Sequence, residues 1–169
     1  MLRDMAVNQR QNGLDDPNLR LIEELQRDAR LSFAELGRRV GLSSPAVAER
    51  VARLEETGVI TGYHAQVDPR ALGFTLGAIV RIRPAPRELH KVAELAQRTP
   101  EVVECHRITG EDCYFIKAYV RDVEHLEEVI DQFALYGQTT TSVMQKSPVP
   151  TRALSAAEQT PAQIVAIRP

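Results

Sequence analysis

The sequence predicts an α+β chain in two parts, a small unit of three helices followed by a domain whose elements run β-α-β-β-α-β. Three observations carry the prediction. In SFAELGRRVGLSSPAVAERVARLEE, residues 32–56, two short amphipathic helices flank Gly41-Leu42-Ser43, the spacing of a helix-turn-helix. After Thr57-Gly58 the apolar pattern leaves the period of a helix for the alternation of a strand. From Leu76 onward, alternating runs and helical stripes succeed one another in an order that closes into one antiparallel sheet with both helices on one face.

The elements can be taken in turn. Residues 1–13 are polar and unpatterned, the composition of a loose arm, and the helix-turn-helix domain is placed at 14–67. Asp16 is expected to cap its first helix, with Pro17 at the first helical position and Leu21, Ile22 and Leu25 turned inward. For the second helix Ser32 can accept from free first-turn amides, Glu35 stands where a capping-box partner stands, and Gly41 can take the left-handed conformation that closes the helix. Ser43 caps the third, with Pro45 in its first turn, where a missing amide costs nothing. Val47, Val51 and Leu54 fall at i, i+4 and i+7 and form its buried stripe. The opposite face carries Ser44, Ala46, Glu49, Arg50 and Arg53, small at its start and cationic along its length. That order suits a recognition helix: short side chains let the first turn approach base edges, and arginines hold phosphates or reach guanine. Residues 59–67 read as extended and β-prone, a short wing or a connecting strand, and Asp68-Pro69-Arg70-Ala71-Leu72-Gly73 has turn chemistry, so a linker is placed at 68–74.

The second domain is placed at 75–147. Leu76, Ala78, Val80 and Ile82 alternate with Gly77, Ile79, Arg81 and Arg83, a strand with one apolar face. Pro84 and Pro86 end it and open a helix whose buried stripe is Leu89, Val92, Leu95 and Ala96. Strands follow at 101–108 and 113–120, joined by Thr109-Gly110-Glu111-Asp112; Asp122 caps a helix with Leu126, Val129, Ile130 and Phe133 inward, and a last strand runs over 139–146. This is the ferredoxin-like βαββαβ arrangement. One face of such a sheet is left over, and self-association is expected to cover it. Residues 148–169, rich in proline, alanine and small polar side chains, read as a flexible tail.

Composition narrows the function classes. At 169 residues and 43% hydrophobic, the chain can bury two small cores. Net charge is −2, no global basic signature, yet residues 29–53 hold Arg30, Arg38, Arg39, Arg50 and Arg53 against Glu35 and Glu49, a local excess of three. Two cysteines, no secretory segment and no apolar run of bilayer length lead to the expectation of a reduced, cytoplasmic chain with no membrane partner. Cys105 and Cys113 read as small strand residues, the four histidines are scattered, and no catalytic constellation or metal-ligand spacing is present.

The stretches LDDPNLRLIEELQRDARLSFAELGRRVGLSSPAVAERVARLEETGVITGYHAQVDPRALG, VVECHRITGEDCYFIKAYV and YGQTTTSV resemble the Lrp/AsnC (feast/famine) family of prokaryotic transcription regulators, over about 14–149. The specificity lies in the combination, GVITGY leading into a split βαβ with a TGED hairpin. The resemblance implies an N-terminal DNA-binding domain and a C-terminal domain that dimerises, assembles dimers further into tetramers or octamers, and binds a small effector, usually an amino acid held non-covalently with no cofactor. By position it puts Ser43, Ser44, Pro45, Ala46, Arg50 and Arg53 against DNA, and Arg38 and Glu49 flank that face. It puts the effector loop on Thr109, Gly110, Glu111 and Asp112, with Thr139, Thr140 and Thr141 nearby. One departure stands out: many members carry an acid three residues after the glycine, where this chain has Cys113.

An amino-acid ligand is a zwitterion, so its pocket needs donors for the carboxylate and an acid or carbonyl for the ammonium. Gly110 permits close backbone approach, Glu111 or Asp112 supplies the negative group, and threonine hydroxyls serve either end. The plain alternative is a hairpin turn with solvated acids and strand-forming threonines. Three functions are therefore weighed: an effector-responsive regulator bound as a dimer to an imperfect inverted repeat of double-stranded DNA, an enzyme resembling sirohaem decarboxylases on a related domain pairing, and an architectural protein that coats DNA and senses nothing. Arginines gathered in one helical motif count against the enzyme.

Overall fold

The computed structural model describes residues 14–154. The arm expected over 1–13 and residues 155–169 of the expected tail lie outside the described residues. The chain divides into two compact units, one made of the residues up to Ala65 together with those from Thr151 on, and one spanning Gln66–Pro150.

Among the described residues the first unit has three helices, α1 (Asp16–Arg27), α2 (Phe33–Val40) and α3 (Ser44–Glu56). Each begins where a short polar side chain takes a free amide. Ser32 Oγ accepts from Glu35 N–H at 3.2 Å and Ser43 Oγ from Ala46 N–H at 3.4 Å. The cap of α1 is Asp15 and not Asp16: Asp15 Oδ1 accepts from Asn18 N–H at 3.0 Å, which leaves Asp16 as the first helical residue with Pro17 behind it. Gly41 closes α2 in the left-handed conformation, φ 77°. Leu21, Leu25, Leu36, Val40, Val47 and Val51 form the core, with Leu31, Leu42 and Ile60 packed on it; Ile22, expected inward, is half-buried.

The expected strand over 59–67 does not form. Leu54 carbonyl captures the amides of Val59 and Ile60 at 2.9 Å each, and residues 61–68 run exposed and without regular structure. β propensity describes fit to a neighbouring strand, and no strand among the described residues pairs with that segment. A short 3₁₀ turn, Pro69–Leu72, follows, capped by Asp68.

The second unit contains β1 (Leu76–Pro84), α4 (Leu89–Arg98), β2 (Val102–Arg107), β3 (Tyr114–Val120), α5 (Val123–Ala134) and β4 (Gly137–Val143). The sheet order is β2-β3-β1-β4, all neighbours antiparallel. Ala78, Val80 and Ile82 of β1, with Tyr114, Ile116 and Val120 of β3, bury against Val92, Leu95 and Ala96 of α4 and Leu126, Val129 and Phe133 of α5, so both helices lie on one face. The other face presents Ile79, Arg81, Arg83, Phe115, Lys117 and Tyr119. β4 starts two residues earlier than expected and ends three sooner, because its pairing with β1 runs from Gly137 opposite Pro84 to Val143 opposite Ala78, and beyond Gly77 β1 has almost no strand left to pair.

Candidate nucleic-acid interface and effector loop

Three packed valine and leucine side chains fix which way α3 faces. Val47, Val51 and Leu54 are buried, which turns Ser43, Ser44, Pro45, Glu49 and Arg53 to solvent and leaves Ala46 half-buried. The first turn of that face carries only small side chains and caps, so a flat surface with exposed amides could approach it closely. Arg53 has no side-chain partner among the described residues.

Three other arginines of the cluster, Arg38, Arg39 and Arg50, are held by acids. Arg38 pairs with Glu35 while 76% exposed. Arg39 reaches Glu24 at 2.7 Å and Glu35 at 3.0 Å, and Arg27 reaches Glu24 at 2.6 Å. The Arg39 guanidinium, more than any other neighbour, holds the Glu24 carboxyl below its ordinary value. Glu35, expected as a capping-box partner, thus spends its carboxylate on Arg38 and Arg39. Arg50 is turned toward α1 and only partly exposed: its Nη1 donates to both carboxylate oxygens of Asp15, at 2.9 and 2.7 Å, and to Asn18 Oδ1 at 3.0 Å.

In the second unit the β2–β3 hairpin sits at the end of the sheet where β1 and β4 also meet. Ile108 N–H donates to Cys113 carbonyl and Cys113 N–H to Ile82 carbonyl, both at 2.9 Å, which ties the loop to β1. Gly110 turns with φ 114°, a conformation that side-chain-bearing residues resist. Glu111 and Asp112 are both engaged. Arg83 donates through Nη2 to Glu111 Oε2 at 2.6 Å and through Nε to Glu111 carbonyl at 3.1 Å, and Arg81 lies 3.4 Å from Asp112 Oδ2. The three threonines are split by strand alternation. Thr140 stands opposite Arg81 on the face with the arginines, whereas Thr139 and Thr141 stand opposite Ile82 and Val80 on the helix side. The structure therefore gathers Gly110, Glu111, Asp112 and Thr140 around two arginines, and separates Thr139 and Thr141 from them.

Four residues at these sites have roles that the sequence alone does not reveal. Asp15 and Asn18 are hidden by the Asp15-Asp16-Pro17 run, in which the preference of proline for the first helical position points to the wrong aspartate. Arg81 and Arg83 are visible as two cations sharing a strand face, but only the register shows that they meet the Glu111-Asp112 doublet. Cys105 is half-buried against the sheet core, and that burial pushes its thiol up. Among the described residues no group of three or more histidines, cysteines and acids could hold a metal ion, and no helix is long and apolar enough to cross a membrane.

Comparison with known proteins gives this geometry a setting. The AsnC-type helix-turn-helix domain matches residues 14–55, and the Lrp/AsnC ligand binding domain matches 77–154. The HTH-type transcriptional regulator LrpC of Bacillus subtilis is 38% identical over 131 residues, 78% of this chain and 91% of the relative. Its solved structure superposes with a TM-score of 0.76 at 37% identity, covering 79% of this chain and 96% of that one. The transcriptional regulator NMB0573 of Neisseria meningitidis, solved as an L-Met complex, superposes with a TM-score of 0.76 at 25% identity, covering 82% of this chain and 94% of that one. The relatives are named as transcription regulators rather than enzymes. With both halves of the pattern matched and a relative covered almost end to end, the chain belongs to the Lrp/AsnC family of helix-turn-helix transcription regulators.

Proposed function

We propose that the protein is a sequence-specific DNA-binding regulator whose assembly and DNA affinity respond to an amino acid. The observation that carries the DNA half is the orientation of α3: a fully buried Val47-Val51-Leu54 stripe holds Ser43, Ser44, Pro45, Ala46, Glu49 and Arg53 outward, with Arg38 at the flank. In a dimer two such faces would meet successive major grooves about one turn, roughly 34 Å, apart, and the operator would be an imperfect inverted repeat. The surface ion pair of Arg38 with Glu35 is weak enough to exchange for a phosphate.

The effector half rests on Arg81, Arg83, Glu111 and Asp112. Two cations and two acids within one hairpin-strand corner match the two ends of a zwitterion, with Gly110 allowing backbone approach and Thr140 on the same face as the arginines. The L-Met complex of NMB0573 supports an amino acid as the class of ligand. Binding would change DNA affinity only by as much as the ligand prefers one assembly, dimer, tetramer or octamer, over another. Because Glu111 and Asp112 are already paired within the chain, a second reading stands: a DNA-coating protein with no effector.

A thermal-shift screen of the twenty amino acids, each repeated in gel filtration, separates the two. A ligand at a hundred times its dissociation constant adds about 2.7 kcal/mol to stability. One amino acid that raises the melting temperature and shifts the elution volume supports the first reading; twenty flat traces alongside salt-sensitive DNA binding support the second.

A further inference from the structure

We propose that Arg50 is a positioning residue: Asp15 and Asn18 take its guanidinium to lock α1 against the recognition helix, and it acts through that lock rather than by touching phosphate. The proposal rests on the DNA-binding reading above for its consequence, though not for its geometry. A single nitrogen, Nη1, faces both Asp15 oxygens and the Asn18 amide oxygen, at 2.9, 2.7 and 3.0 Å. That nitrogen carries two hydrogens against three acceptors, so this end of the guanidinium is fully committed to α1. The same Asp15 carboxylate caps α1 by accepting from Asn18 N–H at 3.0 Å, so one side chain starts one helix and grips another. Asn18 is 4% exposed, and a polar group so deeply placed persists where its hydrogen bonds are made; Arg50 makes one of them.

The contrast along α3 is informative. Arg53 stands in solvent, whereas the Arg50 side chain is 32% exposed and spans 35 residues of sequence to reach its partner. Apolar side chains such as Leu21 and Val47 pack α1 and α3 into one core without directional bonds; a guanidinium nitrogen directed at Asp15 and Asn18 adds charge-assisted, directional ones. The angle at which α3 is presented is therefore set by the lock. Were Arg50 instead a phosphate ligand restrained by Asp15, removing the carboxylate would free it and remove a negative charge, and DNA binding would strengthen. The lock predicts the opposite.

Two measurements test it. Asp15→Ser keeps a capping hydroxyl at the start of α1 but cannot reach Arg50. Asp15→Ser and Arg50→Gln should each lower the denaturant midpoint of the full chain, and the double variant should lower it no further than the worse single one; additive losses, or no loss in either, would overturn the lock. Binding is then read on the duplex that the unaltered protein selects from a randomised pool, at 50 and 200 mM salt. Asp15→Ser, Arg50→Gln and Arg50→Lys should all weaken binding by the same factor at both salts. If Arg50 instead neutralised a phosphate, Arg50→Gln would change the salt slope by about 0.9, so that the loss shrinks about 3.5-fold between those salts, and Asp15→Ser would bind more tightly; either result refutes the proposal. If no duplex is selected, the DNA-binding reading fails and the midpoints alone decide whether the lock exists.

Discussion

Replacing Gly37 with alanine sets two physical effects against each other, and the structure fixes the winner. In a helix interior alanine is favoured over glycine by about 1 kcal/mol, so propensity alone predicts a more stable protein. A Cβ built on Gly37, however, would stand 2.4 Å from the Leu42 carbonyl oxygen and 3.4 Å from its carbon. Both are backbone atoms of the tight turn, and neither can swing aside. The same turn is closed by Gly41 and Leu42 amides donating to the Gly37 carbonyl, each at 2.9 Å. Moving the turn outward by the roughly 0.6 to 1 Å that would bring this contact to 3.0–3.4 Å would therefore stretch the hydrogen bonds that define it. Overpacking of this kind costs about 1–3 kcal/mol and a strained hydrogen bond about 1 more, against the ~1 kcal/mol that propensity returns. Gly37→Ala should be destabilised by about 1–3 kcal/mol, read as a lower urea midpoint with helix circular dichroism, and DNA affinity should fall because the turn sets how α3 leaves α2. A variant as stable as the parent would show that the turn yields cheaply and that the close approach carries no weight.

Other outcomes follow from single observations. Arg53→Ala should leave stability within about 0.5 kcal/mol, since the side chain is exposed, while lowering the slope of log affinity against log salt by about 0.9; an unchanged slope removes Arg53 from the interface. Phe133→Ala, which empties the largest fully buried side-chain site, should cost about 3–5 kcal/mol by chemical denaturation. Gly110→Val forces a β-branched residue to φ 114° at about 1–3 kcal/mol and should abolish any effector response measured by calorimetry, with basal DNA binding intact. The Lys117 ammonium, hydrogen-bonded at 2.7 Å, holds the Glu104 carboxyl below its ordinary 4.5, so that stabilisation is present above 4.5 and is lost as pH falls through the folded value. Glu104→Gln should therefore show a shallower acid decline in urea midpoint than the parent.

The parts of the fold legible in the sequence are those that local chemistry specifies. Ser32, Ser43 and Asp122 cap the helices they were expected to cap, and the stripes of α3 and β1 bury the residues whose spacing marked them. The order of elements determined the sheet because a split βαβ has few ways to close. What could not be read depended on partners distant in sequence. The segment over 59–67 has the composition of a strand and lacks a neighbour. The threonine run near the hairpin looks like one cluster, and alternation divides it between two faces. Arg50 looks like its neighbour Arg53 in the sequence, yet Asp15, 35 residues away, holds it.

Charge is where the sequence and the folded chain differ most, and the difference bears on mechanism. A local excess of three arginines suggests a broad basic surface, yet Glu35, Glu24 and Asp15 take Arg38, Arg39 and Arg50 respectively. These pairs are unequal. An exposed arginine such as Arg38, whose pair is worth at most about 1 kcal/mol, can trade its acid for a phosphate almost freely, whereas for Arg50 the exchange would also undo a hydrogen bond to the buried Asn18. At the hairpin, distance and exposure run opposite ways: Arg83 donates both to the carboxylate and to the carbonyl of Glu111, whose side chain is 87% exposed, and Arg81 meets the less exposed Asp112 at 3.4 Å. The zwitterion proposed above would find its longest-spaced ion pair between Arg81 and Asp112, which could offer its carboxylate a cation and its ammonium an acid. On each unit, then, a ligand of the kind proposed would have to displace an acid that the chain itself supplies, Glu35 from Arg38 in one and Asp112 from Arg81 in the other.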